Sequence, residues 1–477
     1  MTINPAIFRA YDIRGVFPKD IDGKVAELIG KAFGTWLVRN RSKRDQNLSV
    51  VVGRDNRFSS DELTAKLVEG LLSTGCDVID IGLAITPLIH FATIKYDVTA
   101  GVMVTASHNP KEFNGFRFDL KNAEPFYGQQ IQSLVQVIKE DDYEKGIGKI
   151  SYKEDVFKDY SKDLIGRIKI DKPFKIVVDC GNGAASKFAT DLFLGLGIEV
   201  VGLFCNLDGD FPYHQPDPEE RINLQTLRLK VVEEKADLGV GFDTDADRFG
   251  LVDEKGTPYE NDKILILLAR DVLKNRPGSK IIFDVKSSYV LEQEIRKLGG
   301  TPLYMRTGHP FFRKYMENNK DVFLGGELSS HTFIRDDYYG YDDGIYAAAR
   351  VAQIISNSGN KMSEHFFGIP HTAHTEEIKI SCSDEKKLDI VRAIGLRFFN
   401  EGYQIGDIDG YRINLDTNSW FLIRASNTSP YISLRFEAEN KEGLLSAVSL
   451  VKERLSQFPE LDLIGLGPKL SEKSHNI

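Results

Sequence analysis

The sequence predicts an α/β fold: three tandem, related α/β domains with mainly parallel mixed sheets, followed by a smaller C-terminal α+β domain. Three observations lead there. Near-continuous apolar strands alternate with amphipathic helical stretches, the pattern of sheets covered on both faces. Similar sets of strands recur three times along the chain. The C-terminal part instead alternates apolar and polar residues, as half-exposed antiparallel strands do. The chain has 477 residues. At roughly 100–200 residues per domain, that is room for three or four domains, each with its own core.

The elements follow in order. Leu48–Val52 is a β-branched strand, Asp61–Leu72 carries apolar residues at helical spacing, and Gly75 is placed to stop that helix before the strand Asp77–Ile81. Tyr96–Val104 is the third strand of this set and runs into a polar loop. The second set is Lys175–Asp179, Gly197, Ile198–Gly202 and Ala236–Phe242. The third is Lys280–Asp284, the helix Leu291–Leu298, Gly300, Thr301–Tyr304 and Lys320–Gly326. Gly368 and Pro370 mark a linker. Beyond it lie strands Thr375–Ile380 and Tyr431–Glu437 with helices Glu385–Asn400 and Lys441–Ser456, and a polar tail expected to fray from Gly467. The expected domains are residues 1–151, 152–254, 255–367 and 368–477.

Composition narrows the function. Hydrophobic residues make up 42% and charged residues 27%, which suits a globular chain. Lys plus Arg is 61 and Asp plus Glu is 70, a formal net charge of −9, so no nucleic-acid partner is expected. Cys76, Cys180, Cys205 and Cys382 lie far apart, with no CxxC pair and no zinc spacing; they read as small buried residues of a reducing compartment. Met1–Arg9 is too weakly apolar, and broken by Pro5, for a signal peptide. The longest apolar run, Ile264–Ala269, is too short for a membrane span. A cytoplasmic protein with no membrane partner is expected.

In parallel sheets the loops at the carboxyl ends of strands form the binding crevice. Four loops carry chemistry. Thr105–Pro110 presents Ser107, a poor nucleophile unless a base or metal activates it. Asp243–Arg248 places three carboxylates at alternating positions, Asp243, Asp245 and Asp247, expected on one side of an extended segment and suited to a hard cation such as Mg²⁺. Gly325–His331 offers Glu327 and Ser329, expected to face one way and to bind adjacent hydroxyls, as on a sugar ring. Arg424–Pro430, with Arg435 beyond, supplies donors for a phosphate.

With these loops in place, the sequence resembles the α-D-phosphohexomutases, and within them the bacterial phosphomannomutase/phosphoglucomutase group. Phe8–Gly15 looks like the N-terminal signature of that family, and the four loops match its phosphoserine, metal, sugar and phosphate loops. The resemblance implies four domains around a central cleft. It implies phosphorylated Ser107, with Asp243, Asp245 and Asp247 holding one Mg²⁺ together with a phosphoserine oxygen of Ser107. Catalytic candidates are then Ser107, Arg14, His108, Arg117, Arg248, Lys286, His309 and His331. Substrate would be bound by Arg9, Tyr11, Lys286, His309, Glu327, Ser329, His331, Arg424, Ser426, Asn427, Thr428 and Arg435.

Two residues depart from the family pattern. Arg117 stands where relatives often have lysine, and a guanidinium does not readily take a proton. Proton transfer then falls to His309 or His331, or Arg117 serves electrostatically. Ser429 stands where many relatives have glutamate. The activity implied is interconversion of hexose 1- and 6-phosphates, of mannose and also of glucose, through a phosphoserine enzyme and a hexose 1,6-bisphosphate that serves as intermediate and activator. Small sugar phosphates are the expected partners, and the chain is expected to be a monomer or weak dimer. Phosphoglucosamine mutase is the nearest alternative, although Leu328 looks more like the methionine of the mannose/glucose group than the glutamine of glucosamine enzymes. A sugar-phosphate phosphatase on the same site, and a non-catalytic sensor, are the others.

Overall fold

The computed structural model describes residues 3–41, 48–426, 430–463 and 466. The tail from Gly467 lies outside the described residues. The chain forms two compact units: Met1–Lys280 with Gly308–Phe367, and Ile281–Thr307 with Gly368–Ile477.

The first unit opens with a seven-stranded mixed sheet. Its centre is parallel: Ala100–Val104 pairs with Ser49–Arg54, which pairs with Asp77–Leu83. Phe113–Leu120 joins antiparallel to Ala100–Val104, and Ile13–Val16 antiparallel to Phe113–Leu120. Every residue of Ala100–Val104 is buried, as expected of a central strand with helices on both faces. Val50, Val52, Val102 and Val104 pack with Ile29, Phe33, Leu63 and Leu67 in one core. The third strand of the set is shorter than the expected Tyr96–Val104. Thr86–Lys95 is helical, and the Tyr96 N–H still caps it by donating to Ala92, so extended pairing begins only at Ala100.

A five-stranded sheet follows. Leu238–Phe242, Lys175–Asp179 and Glu199–Leu203 are parallel neighbours, and Phe249–Asp253 adds antiparallel to Leu238–Phe242. Val322–Gly326 and Thr332–Ile334 form a hairpin later in the same unit. Gly75 and Gly197 take the left-handed conformation that stops a helix, at φ +89° and +78°. In the third set that position is Gly299, at φ +76°, not the expected Gly300. The helix Tyr289–Lys297 ends one residue earlier than the spacing suggested.

The second unit holds an antiparallel six-stranded sheet built on Tyr431–Ala438, Trp420–Ala425, Tyr411–Asn414 and Gln404–Gly406. Helices Lys387–Asn400 and Lys441–Leu455 cover it, with Phe398, Phe421, Phe436 and Val451 in their shared core. Residues 281–307 pack with this unit. The buried Arg412 explains part of that attachment. Its guanidinium donates to the carbonyls of Val285 at 2.6 Å and Ser287 at 2.9 Å, and lies over the rings of Trp420 and Tyr304. Glu437 adds three bonds, from Ser288, Trp420 and the Tyr289 N–H. Among the described residues no helix is long and apolar enough to cross a membrane.

Candidate active site

Ser107 sits just past the buried strand Ala100–Val104 in a turn with φ +49°, an uncommon conformation for a residue with a side chain. What holds it there is the buried Arg57. Its guanidinium donates to the carbonyls of Ser107 (2.5 Å), Asn109 (2.7 Å), Pro110 (2.7 Å) and Phe113 (3.1 Å), while Asp55 neutralises it at 3.1 Å. Arg14 donates to Ala106 O and Asn109 Oδ1, and Gln215 Nε2 donates to the carbonyls of His108 and Asn109. A loop tied at so many carbonyls is pre-positioned. The Ser107 hydroxyl then donates to Asp243 Oδ2 at 2.7 Å, and His108 Nδ1 lies 3.3 Å from it. Burial, then Arg248 and Arg14, hold the His108 imidazole well below its ordinary pKa.

The three aspartates do not lie along an extended segment. Asp243 O accepts from the Ala246 N–H and Ala246 has φ +55°, so the chain turns and the carboxylates converge instead of projecting in parallel. Backbone bonds from Thr86 to Asp245, from Ala184 to Thr244 and from Gly344 to Ala246 fix the turn. Gly344 is required there: a Cβ on it would lie 2.7 Å from the Arg248 carbonyl and 2.9 Å from that of Ala246. Asp243, Asp245 and Asp247 are fully buried, with one oxygen each within 4.8 Å of the others. Thr86 donates to Asp245 Oδ2, but Asp245 Oδ1 and Asp247 Oδ1 are buried without a hydrogen-bond partner. Burial first, then the neighbouring carboxylates, push the Asp243 carboxyl well up and that of Asp245 up. At Asp247, burial acts upward too, but Arg117 and His331 outweigh it and hold the carboxyl down. Three converging oxygens with open lone pairs fit a hard divalent cation.

Arg117 lies beside this turn. It pairs with Asp247, donates to Asp342 Oδ2 at 3.2 Å and meets His309 Nδ1 at 3.0 Å. Burial works against its charge, but Asp247, Asp342 and Asp245 outweigh burial and hold it charged far above the ordinary range. His331 accepts at Nε2 from Arg248 Nε at 3.0 Å, and its Nδ1 is 3.1 Å from Asp342 Oδ2. Burial is the largest influence lowering both His309 and His331, so both imidazoles are neutral near pH 7. Glu327 is buried on a turn and accepts from the Gly308 N–H at 2.6 Å; Ser329 is half-buried on the same turn. The Tyr11 ring meets His309 edge-on. Arg9 is half-buried near the N-terminal strand.

The structure therefore brings together Ser107, His108, Arg14, Arg117, Asp243, Asp245, Asp247, Arg248, His309 and His331 within the first unit. Lys286, Arg424, Ser426 and Arg435 belong to the second unit and are all buried there. Lys286 Nζ lies 3.6 Å from Glu377, whose carboxyl is held at about 2, against burial, by Lys286, the Ser433 hydroxyl and Arg424. Arg424 pairs with Asp409. Asn427 and Thr428, and with them Ser429, lie outside the described residues.

Sequence reasoning missed Arg57, Thr86, Asp342 and Glu377. Arg57 follows the carboxyl end of Ser49–Arg54, so the rule that found Ser107 could have found it. Asp342 is the hub of the cationic side: Arg117, His331, His90 and His309 lie within 3.8 Å of its carboxylate. Replacing it, as Asp342→Asn, should lower kcat about 10–100-fold, the usual cost of losing a group that orients catalytic side chains. KM should change little. A kcat equal to that of wild type would remove Asp342 from the machinery.

Comparison with known proteins agrees with this geometry. Four family descriptions match in tandem: phosphoglucomutase/phosphomannomutase alpha/beta/alpha domain I over residues 5–145, domain II over 158–256, domain III over 260–372, and the C-terminal domain over 377–449. A phosphomannomutase/phosphoglucomutase of Pseudomonas putida is 40% identical over 459 residues, 96% of this chain and 97% of that protein. A phosphoglucomutase of Neisseria meningitidis serogroup A is 36% identical over 459 residues, 95% of this chain and 98% of that protein. The crystal structure of a phosphoglucomutase/phosphomannomutase family protein from Burkholderia thailandensis superposes with a TM-score of 0.88 at 37% identity, covering 96% of this chain and 98% of that one. With all four domain families in order and relatives of this identity along nearly its whole length, the chain belongs to the phosphoglucomutase/phosphomannomutase family.

Proposed function

We propose that this chain is a phosphohexomutase that interconverts the 1- and 6-phosphates of mannose and of glucose through phospho-Ser107. The observation that carries this reading is the Ser107 hydroxyl 2.7 Å from Asp243, at the edge of three converging buried carboxylates. Phospho-Ser107 gives its phosphoryl group to the free hydroxyl of a hexose phosphate: the new P–O bond forms on the sugar as the Ser107 P–O bond breaks. The bisphosphate so made turns over and returns its other phosphate to Ser107. A Mg²⁺ held by Asp243, Asp245 and Asp247 would neutralise charge on the transferring phosphoryl group, the largest need in such a reaction. Arg248 and Arg117 hold positive charge at the same place. The attacking hydroxyl gives its proton to His309 or His331, both neutral; Arg117, fixed in its charged form, acts electrostatically. Glu327 and Ser329 bind ring hydroxyls, and Arg424, Ser426, Asn427, Thr428 and Arg435 hold the phosphate that is not reacting. Lys286 is charge-paired and buried, as suits a residue facing substrate oxygens. The setting we infer is cytoplasmic, with sugar phosphates as the partners.

The test is a coupled assay with Mg²⁺ and a trace of hexose 1,6-bisphosphate. Mannose 1-phosphate and glucose 1-phosphate should both yield the 6-phosphate, because the hydroxyls that Glu327 and Ser329 bind are common to the two sugars. Glucosamine phosphate should turn over much more slowly. Comparable or better use of glucosamine phosphate would point instead to a phosphoglucosamine mutase. Release of inorganic phosphate in place of 6-phosphate would point to a phosphatase.

A further inference from the structure

Cys180 and Cys205 are separated by a whole strand and helix in sequence, yet their Sγ atoms lie 2.9 Å apart. The topology accounts for it. Lys175–Asp179 and Glu199–Leu203 are parallel neighbours with Asp179 opposite Leu203, and each cysteine lies just past the end of its strand. The Cys180 N–H continues the ladder to Leu203 O at 3.1 Å. Phe204 then turns with φ +50°, and Cys205 is brought onto Cys180. Both are free thiols. Cys180 is fully buried; Cys205 is half-buried and is followed by the exposed Asn206. One sulfur can therefore meet a small solute while the other waits behind it.

We propose that Cys180 and Cys205 form an oxidisable dithiol that closes to a disulfide with hydroperoxides and opens again with thiols. The Cys205 thiolate attacks one peroxide oxygen; the S–O bond forms, the O–O bond breaks, and the leaving oxygen takes a proton as water or alcohol. Cys180 then attacks the Cys205 sulfenic acid. The S–S bond forms, the S–O bond breaks, and hydroxide leaves with the Cys180 proton as water. In total, two thiols lose two electrons and two protons to one peroxide. The order follows from the pair itself. The thiol–thiol contact holds Cys205 below its ordinary pKa, and the same contact, with burial, pushes Cys180 well up, so Cys205 is the attacking sulfur.

The pair also connects to the active site. Residues 180–184 form the loop after Cys180. There the Ala184 N–H donates to Thr244 O in the carboxylate turn at 2.8 Å, and Asn56 Nδ2 donates to Asn182 O at 2.8 Å. A Cβ on Gly183 would lie 2.8 Å from Thr244 Cα, so this loop and the carboxylate turn are in direct contact. Drawing Cys180 toward Cys205 to bonding distance moves one end of that loop, and mutase turnover falls severalfold.

The test uses the whole protein treated with a small excess of hydrogen peroxide, alkylated without reduction and mapped by peptide mass spectrometry. A linked pair of peptides carrying Cys180 and Cys205, two hydrogens lighter than the separate thiols and reversed by dithiothreitol, is the expected result. In Cys180→Ser, Cys205 should instead be trapped as sulfenic acid by dimedone. Alkylation of both cysteines after oxidation, or a link to Cys76 or Cys382, would overturn the proposal. Activity is followed in parallel. It should fall as the link forms and return on reduction, while Cys205→Ser keeps its activity through the same treatment. A complete link with unchanged turnover would overturn the coupling to the active site.

Discussion

Ser107→Ala is expected to lose mutase activity by on the order of 10⁴-fold or more, the scale seen when a covalent nucleophile is removed from an intact site. No neighbouring oxygen can take its place. Thr105 Oγ1 is engaged by the Ser107 N–H, and the Thr86 hydroxyl is spent on Asp245. The fold should survive. The loop is held by Arg57 through main-chain carbonyls, and alanine leaves those bonds untouched. The one side-chain bond lost is that to Asp243, a charge-assisted contact worth about 1.5–3 kcal/mol at most. Two measurements decide. Intact-mass and peptide spectrometry of active wild-type protein should place a phosphate on Ser107 and on no other residue, and the alanine variant should carry none while melting near the wild-type temperature. An alanine variant that turns over hexose phosphates at the wild-type rate would end the phosphoserine mechanism, whatever the similarity to relatives.

Much of this site was legible in the chain because its loops obey a local rule. A buried β-branched strand followed at once by polar residues marks the carboxyl edge of a parallel sheet. That rule located Ser107 after Ala100–Val104 and the aspartates after Leu238–Phe242, and both strands are where expected to within a few residues. What it missed depends on contacts distant in sequence. Arg57 acts on carbonyls more than fifty residues away, and Asp342 meets Arg117 only once residues 1–280 and 308–367 have folded together. The aspartate turn was misread because alternation in sequence implies an extended chain only if every residue stays extended, and Ala246 does not. The attachment of residues 281–307 to the C-terminal unit was also invisible. It rests on Arg412 and Glu437, charged residues that a reading of apolar periodicity assigns to the surface. Cys180 and Cys205 failed the test of short spacing for the same reason: strand pairing, not sequence, brings them together.

Removal of the divalent cation, or of one of its carboxylates, should come next in size. Asp245→Asn is the informative variant. The asparagine carbonyl can still accept from Thr86, so the turn keeps its hydrogen bond, but the second oxygen, buried without a partner in Asp245, loses its charge. Turnover should fall about 10²–10³-fold, the scale of losing one preorganised electrostatic group at a reacting centre. Chelation of the wild type should do the same and be reversed by added Mg²⁺. A purely structural role for the aspartates predicts differently on a second readout. Three carboxylates within 4.8 Å of one another, all buried, repel in the absence of a cation. A bound cation stabilises the folded state by about 2.7 kcal/mol at a hundredfold excess over its dissociation constant. The wild type should therefore melt about 2–4 °C higher with Mg²⁺ than with a chelator. In Asp245→Asn the repulsion is already smaller and so is the affinity, so the melting temperature should respond less to Mg²⁺, even where the apo variant is as stable as the apo wild type. Full activity in chelator, together with a melting temperature indifferent to Mg²⁺, would show that these carboxylates hold no catalytic ion.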